Sequence, residues 1–298
     1  MKTLLKSLLK IQYQQRRSSI IKPTSGFTMI ELLVGTIIAF LITVPLLSFV
    51  VDMLNTDVRE QAKANSEQDI QAAVDYIAQD MSQALYVYDH DGAGGVVDAI
   101  EGQLPENDDE NRKPILVFWK RQLVEEAIPV SACAEPPCKD DDAYVLSLVA
   151  YYEITEDDDT SIWCQPNGET CPKRIARFQI QDGVTDFTGT YIDENGDTDK
   201  KLQRDRGFKI PTSDEGYEGW TKEDETYENN LEVLVNYVES FTLNEVTIHE
   251  NTGNKLAEIT IAGDSQRRIG EAVNCAQSPS YCPKVTAQVG GRSRKPLE

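Results

Sequence analysis

Three groups of residues in this 298-residue chain have types and spacings that could do chemistry: a carboxylate stranded in an apolar run, three close cysteine pairs, and a run of alternating acids. The carboxylate is Glu31. Between residues 27 and 51 it is the only ionisable side chain, in a stretch otherwise apolar enough to enter a bilayer. A charge placed there costs about 3 kcal/mol or more, so such a residue reads as functional. Its flanks are asymmetric. Residues 1–26 carry Lys2, Lys6, Lys10, Arg16, Arg17 and Lys22 and no acid, which holds that end in the cytoplasm and sends the remainder across.

Cys133 with Cys138, Cys164 with Cys171, and Cys275 with Cys282 each bracket a turn-rich insert containing proline. An even count outside the cytoplasm reads as disulfides, and local pairing is expected because each bridge staples a loop or hairpin. Bridges over such short loops contribute about 2–3 kcal/mol each, enough to stabilise a loop but not to fold a domain. Zinc is the functional alternative, disfavoured by spacings too long for paired knuckles. Asp193, Asn195, Asp197 and Asp199 place oxygens at alternate positions, a pattern that can wrap a structural calcium ion. The segment departs from a full EF-hand loop: Thr198 stands where glycine is wanted and Arg204 where the bidentate acid belongs. As a solvated acidic turn it needs no metal, and no other cofactor is implied.

Catalytic patterns are missing from the sequence. His90 and His249 lie in no metal or nucleophile motif, and Gly92-Ala93-Gly94-Gly95 reads as a helix stop rather than a dinucleotide loop. The expectation is a protein that is not an enzyme. Charge narrows the partners. Removing the six N-terminal cations takes the −21 of the whole chain to −27, which argues against nucleic acid and suits cations, a basic partner or simple solubility.

The elements that must position these groups follow from periodicity. Residues 27–51 are long enough to cross a bilayer, with Pro45 expected to kink or loosen the helix. From 52 to 90 the pattern turns amphipathic: Ile70, Val74, Ile77, Met81, Leu85 and Tyr88 share one helical face, with Glu67, Asp69, Asp75 and Asp80 between them. The spacing predicts one helix continuing to about Tyr88. Strands are expected at 115–119, 144–152, 177–180 and 256–261, and two more within 231–248. The acidic stretches 101–111, 156–159 and 205–230 read as mobile loops. A β-rich head over 91–289 and a loose tail over 290–298 complete the expectation.

Gly26-Phe27-Thr-Met-Ile-Glu31-Leu-Leu-Val resembles the leader and cleavage site of type IV pilins and type II secretion pseudopilins. The resemblance implies an α+β, pilin-like fold, with a long N-terminal helix packed on a β-rich head. It implies that a prepilin peptidase cuts between Gly26 and Phe27 and that Phe27 becomes the N-methylated first residue. Glu31 would then meet the amino group of a neighbouring subunit, turning two charges stranded in lipid into one neutral pair that rewards assembly. An ordinary signal anchor and a secretory signal are the bland alternatives, although a secretory signal is cut after its apolar core rather than before it.

The segments 60–80, 114–121 and 148–152 look like the larger minor pseudopilins of the J and W groups, and within them the hormogonium polysaccharide secretion pseudopilins of filamentous cyanobacteria. That implies a minor subunit of a type IV pilus-like apparatus serving polysaccharide export and gliding. Its partners would be the lipid bilayer, other pilins or pseudopilins, and an inner-membrane assembly platform. The chain would sit as a single-pass inner-membrane protein, its N-terminus cytoplasmic and its head periplasmic, before entering the filament. A minor pilin priming or capping a surface pilus, and an anchored binding protein that never polymerises, are the competing readings.

Overall fold

A computed structural model describes residues 26–89, 98–106, 109–128, 140–158, 160–165, 171–192, 202–223, 226–248, 255–271 and 275–290. The chain divides after Asn55 into two units. The first consists, in its described part, of the opening turns of helix α1 (Met29–Met81). Thr28 caps the helix, and the backbone remains helical through Pro45 without a break. Every described residue here is exposed, including Phe27, Leu33, Ile37, Phe40, Leu47 and Phe49. The described residues of this stretch are exposed, and the helix is long and apolar enough to cross a membrane.

The second unit holds the rest of α1 and the strands. Here α1 buries one stripe, Ala62, Ser66, Ile70, Ala73, Val74, Ile77, Asp80 and Met81, at the three- and four-residue spacing of a single face. It ends at Met81, short of the expected Tyr88. Ser82 and Gln83 turn the chain, and Leu85-Tyr-Val-Tyr88, rich in β-formers, leaves as strand β1 (Ala84–Val87) beside β2. The helical spacing of Leu85 and Tyr88 was coincidental.

Among the described residues the strands form a seven-stranded antiparallel meander in chain order: β1, β2 (Arg112–Ile128), β3 (Asp141–Ile154), β4 (Lys173–Gln181), β5 (Glu232–Ile248), β6 (Lys255–Gly263) and β7 (Lys284–Gly290). The region 231–248 is one strand rather than two. It changes partner midway: residues as far as Val238 pair with β4, and those from Val238 onward pair with β6. Tyr237, at φ 59°, sits in the left-handed region at the switch, a conformation rarely adopted by a bulky residue.

Alternation along the strands builds a core on each face of the sheet, and Val124, Ala143, Val145 and Val184 belong to a third, smaller cluster. Leu116, Phe118, Val149, Tyr151 and Ile175 face the α1 stripe. Val117, Trp119, Leu148, Ala150, Tyr152 and Phe178 face the other way. That second face is covered by segments the sequence presented as mobile acidic loops. Ile100, Leu104, Phe208 and Trp220 are at most 2% exposed, and Trp220 Nε1 donates to the Lys209 carbonyl at 2.6 Å. Aromatic anchors hold the loops although their surfaces are acidic. The result is a helix, a sheet and a loop layer, an α+β arrangement.

Ile77 is fully buried in the helix–sheet core, so Ile77→Ala is expected to destabilise the protein by about 2–5 kcal/mol despite alanine's better helix propensity. Gln71→Ala, on the exposed face, is expected to stay within about 0.5 kcal/mol. Denaturant unfolding of the two variants checks this; equal stabilities would mean that the stripe does not bear on the sheet.

Candidate functional site

Gly26, Phe27 and Thr28 precede the helix in non-helical backbone. A Cβ built at Gly26 meets nothing within 4 Å. Neither packing nor backbone conformation asks for glycine there. Thr28 Oγ1 accepts the Glu31 N–H at 3.3 Å, and the Thr28 carbonyl accepts the Glu31 and Leu32 N–H groups at 3.0 and 3.1 Å. Threonine three residues ahead of glutamate is the spacing of a capping box, a local signal the sequence analysis passed over. Glu31 therefore has a local role as an acid in the first turn, favourable to the helix dipole, and its side chain is exposed.

A second constellation was not foreseen. Asp80, placed by the sequence reading among the polar positions between the stripe residues, is only 8% exposed and lies on the buried face itself. Its Oδ1 receives Lys120 Nζ at 2.5 Å. Its Oδ2 receives the Tyr151 hydroxyl at 2.8 Å and Arg177 Nε at 2.9 Å. Three strands thus converge on one carboxylate: β2 through Lys120, β3 through Tyr151 and β4 through Arg177. The guanidinium continues the chain of contacts by donating to Gln179 Oε1, whose amide in turn donates to Gln122 Oε1.

Burial pushes the Asp80 carboxyl up, but Arg177 and Lys120 outweigh it and hold it below the usual carboxylate range. Burial also lowers the Lys120 ammonium and raises the Tyr151 hydroxyl. Lys120, Tyr151 and Arg177 are all fixed on the one carboxylate of Asp80. The signal in the sequence was Asp80 itself: it follows Ile77 by three residues and Ala73 by seven, which places it on the apolar stripe.

Two of the cysteine pairs meet as expected. Cys164 and Cys171 lie at disulfide distance with Cα atoms 4.7 Å apart, and Cys275 and Cys282 likewise at 5.7 Å. The segment before the second bridge is tied to α1: Arg59 meets Glu271 at 2.9 Å, and Arg268 donates to Ser66 Oγ at 2.9 Å and pairs with Asp69. Cys133 and Cys138, the proposed calcium ligands Asp193, Asn195, Asp197 and Asp199, and both histidines lie outside the described residues. Among the described residues no cluster of three or more His, Cys, Asp or Glu is placed to hold a metal.

Set against protein-family models, curated proteins and solved structures, the chain matches none. What it is rests on its own residues.

Asp80→Asn is expected to cost about 3–5 kcal/mol at pH 7, because it leaves two buried cations without their anion. The pH dependence has a definite sign. A carboxyl held low in the folded state contributes stability above its unfolded pKa of about 3.9, and that contribution is lost as pH falls through the folded value. The stability gap between wild type and Asp80→Asn should therefore close below about pH 4. Asp205 and Asp264, both raised mainly by burial, act in the opposite sense in both proteins and cancel in the comparison. A gap that stays constant down to pH 2.5 or so would show that Asp80 is not ionised by its partners.

Proposed function

We propose that this chain is a prepilin-type subunit, cut between Gly26 and Phe27, N-methylated at Phe27 and assembled through α1 into a type IV pilus-like filament. One observation carries the reading. A glycine that nothing in the fold requires stands directly ahead of Phe27, and the exposed apolar helix that follows contains Glu31 as its only ionisable group as far as Val51. Local folding leaves Gly26 unexplained, whereas a peptidase that must draw backbone into its site has a use for a residue without a side chain. The apolar helix surface, exposed at every described residue from 26 to 55, suits lipid before assembly and neighbouring helices after it.

Within that class we place the protein as a minor pseudopilin supporting polysaccharide secretion and gliding motility, on the likeness of residues 60–80, 114–121 and 148–152 to that group. The folded unit from Thr56 onward is the part that would meet cargo or partners. A second reading has an observation of its own. Because an acid in the first turn of α1 favours the helix dipole, a simple membrane anchor would also retain the glutamate.

Two substitutions separate these readings. Glu31→Gln keeps a capping-box residue and removes the charge, whereas Glu31→Ala removes both. A filament subunit is expected to lose incorporation in either variant, measured as the fraction of the chain in sheared filaments against the membrane fraction. An anchor should tolerate Glu31→Gln. Mass spectrometry of the membrane-extracted protein should find an N-methylated Phe27 as the first residue. A chain that retains residues 1–26 in a host with active prepilin peptidase sinks the proposal.

A further inference from the structure

Strand β5 runs beside β4 only from the Lys173–Val238 pair to the Arg177–Glu232 pair, and beyond Glu232 it departs. Side chains take the place of the missing strand. Asn229 Nδ2 donates to the Gln179 carbonyl at 2.7 Å and to Asp205 Oδ2 at 3.1 Å, and the Gln181 N–H donates to Asp205 Oδ2 at 2.8 Å. The departure opens a notch of about 480 Å³, within the range of small-ligand sites.

The lining says what would fit. No apolar side chain contributes to it, so a hydrophobic guest gains nothing there. Asp205, Glu228 and Glu232 face a single cation, Arg177, whose Nε is already held by Asp80. A polyanion would meet net repulsion. The acids do not converge as metal ligands, and Glu228 is paired with Arg206 at 2.9 Å. The remaining lining is carboxamide: Gln179, Gln181, Asn229 and Asn230. Carboxamides donate and accept at once, and beside carboxylates they complement a ligand carrying adjacent hydroxyls, each both donor and acceptor.

We propose that the notch between β4 and β5 binds a neutral polyhydroxylated chain, a segment of saccharide, chiefly through Asn230 and Glu232, since the Gln179–Gln181 edge is already met by Asn229 and Asp205 and the Gln179 carboxamide by Arg177 and Gln122. The inference rests on the proposed secretion role only for the origin of that saccharide; the binding itself depends on the folded unit alone. Asn230 and Glu232 are exposed, so they can be changed without opening the core.

The test is calorimetric titration of the full chain, held in a sugar-free detergent, with cellohexaose, xylohexaose, an oligogalacturonate and spermidine in turn. A neutral oligosaccharide is expected to saturate at about 1 mM or below. The double variant Asn230→Ala/Glu232→Ala is expected to weaken it about tenfold or more with the melting temperature unchanged. The proposal is overturned if neither neutral oligosaccharide saturates, if oligogalacturonate or spermidine binds more tightly, or if the double variant binds like wild type. Glu31→Gln should leave the titration unaltered, so a failure of filament assembly and a failure of saccharide binding are read separately.

Discussion

One buried carboxylate fixes how the helix lies on the sheet. Asp80 takes a cation from β2, a hydroxyl from β3 and a guanidinium from β4, so its position is set by three strands at once. Apolar packing alone tolerates sliding, because one branched aliphatic residue replaces another at modest cost. A carboxylate with three fixed partners does not. Shifting α1 by one residue would carry Asp80 about 100° around the helix and leave Lys120 and Arg177 buried without an anion. The cluster contributes registry more than net stability, since desolvation of the three charges offsets much of their attraction.

The same economy of partners explains the irregular strand. Once β4 is fixed to Asp80 through Arg177, β5 must serve two neighbours that lie on its opposite sides at different heights. It does so with Tyr237 in a left-handed conformation that would be costly if unsupported. Support is visible on three atoms or faces of that residue. Its carbonyl accepts the Asp264 N–H at 2.8 Å, its hydroxyl donates to the Gln165 carbonyl at 2.9 Å, and the Arg268 guanidinium lies 4.7 Å over its ring. Arg268 also holds Asp69 and Ser66 of α1, so the bend in the sheet and the seat of the helix are parts of one arrangement.

Periodicity made the helix, the helix–sheet core and the centres of β2, β3, β4 and β6 legible, because burial on one face leaves a mark on every second or every third and fourth residue. It failed where the determinant was tertiary. Helical spacing carried on past Met81 by chance, while the aromatic and β-branched content of residues 84–88 was a strand signal of equal weight. The loops over 101–111 and 205–230 were misread because charge dominates their composition, yet a few residues such as Leu104, Phe208 and Trp220 suffice to anchor them under an acidic surface. Asp80 was hidden by the opposite error: an acid on an apolar stripe was taken for a solvated one. Its partners lie 40 and more residues away, and no local pattern announces them.

Glu31 meets one demand visible in the structure, and the proposed function would add a second. The helix needs its first N–H groups met, and Thr28 meets one of them with its hydroxyl, while an acid at the third helical position fits the capping-box pattern and the helix dipole. Lipid penalises the acid that membership of the box brings, and glutamine would fill the box at far less cost. Capping alone therefore does not account for a charge here. Serine or asparagine at position 28 with glutamine at 31 would start the same helix and enter a bilayer more easily. The excess cost of the carboxylate calls for a cation, and cleavage after Gly26 would create one, four residues away in the same chain and equally available in a neighbour. Under the proposed function, pairing with a neighbour would be the arrangement in which that cost is recovered only on assembly.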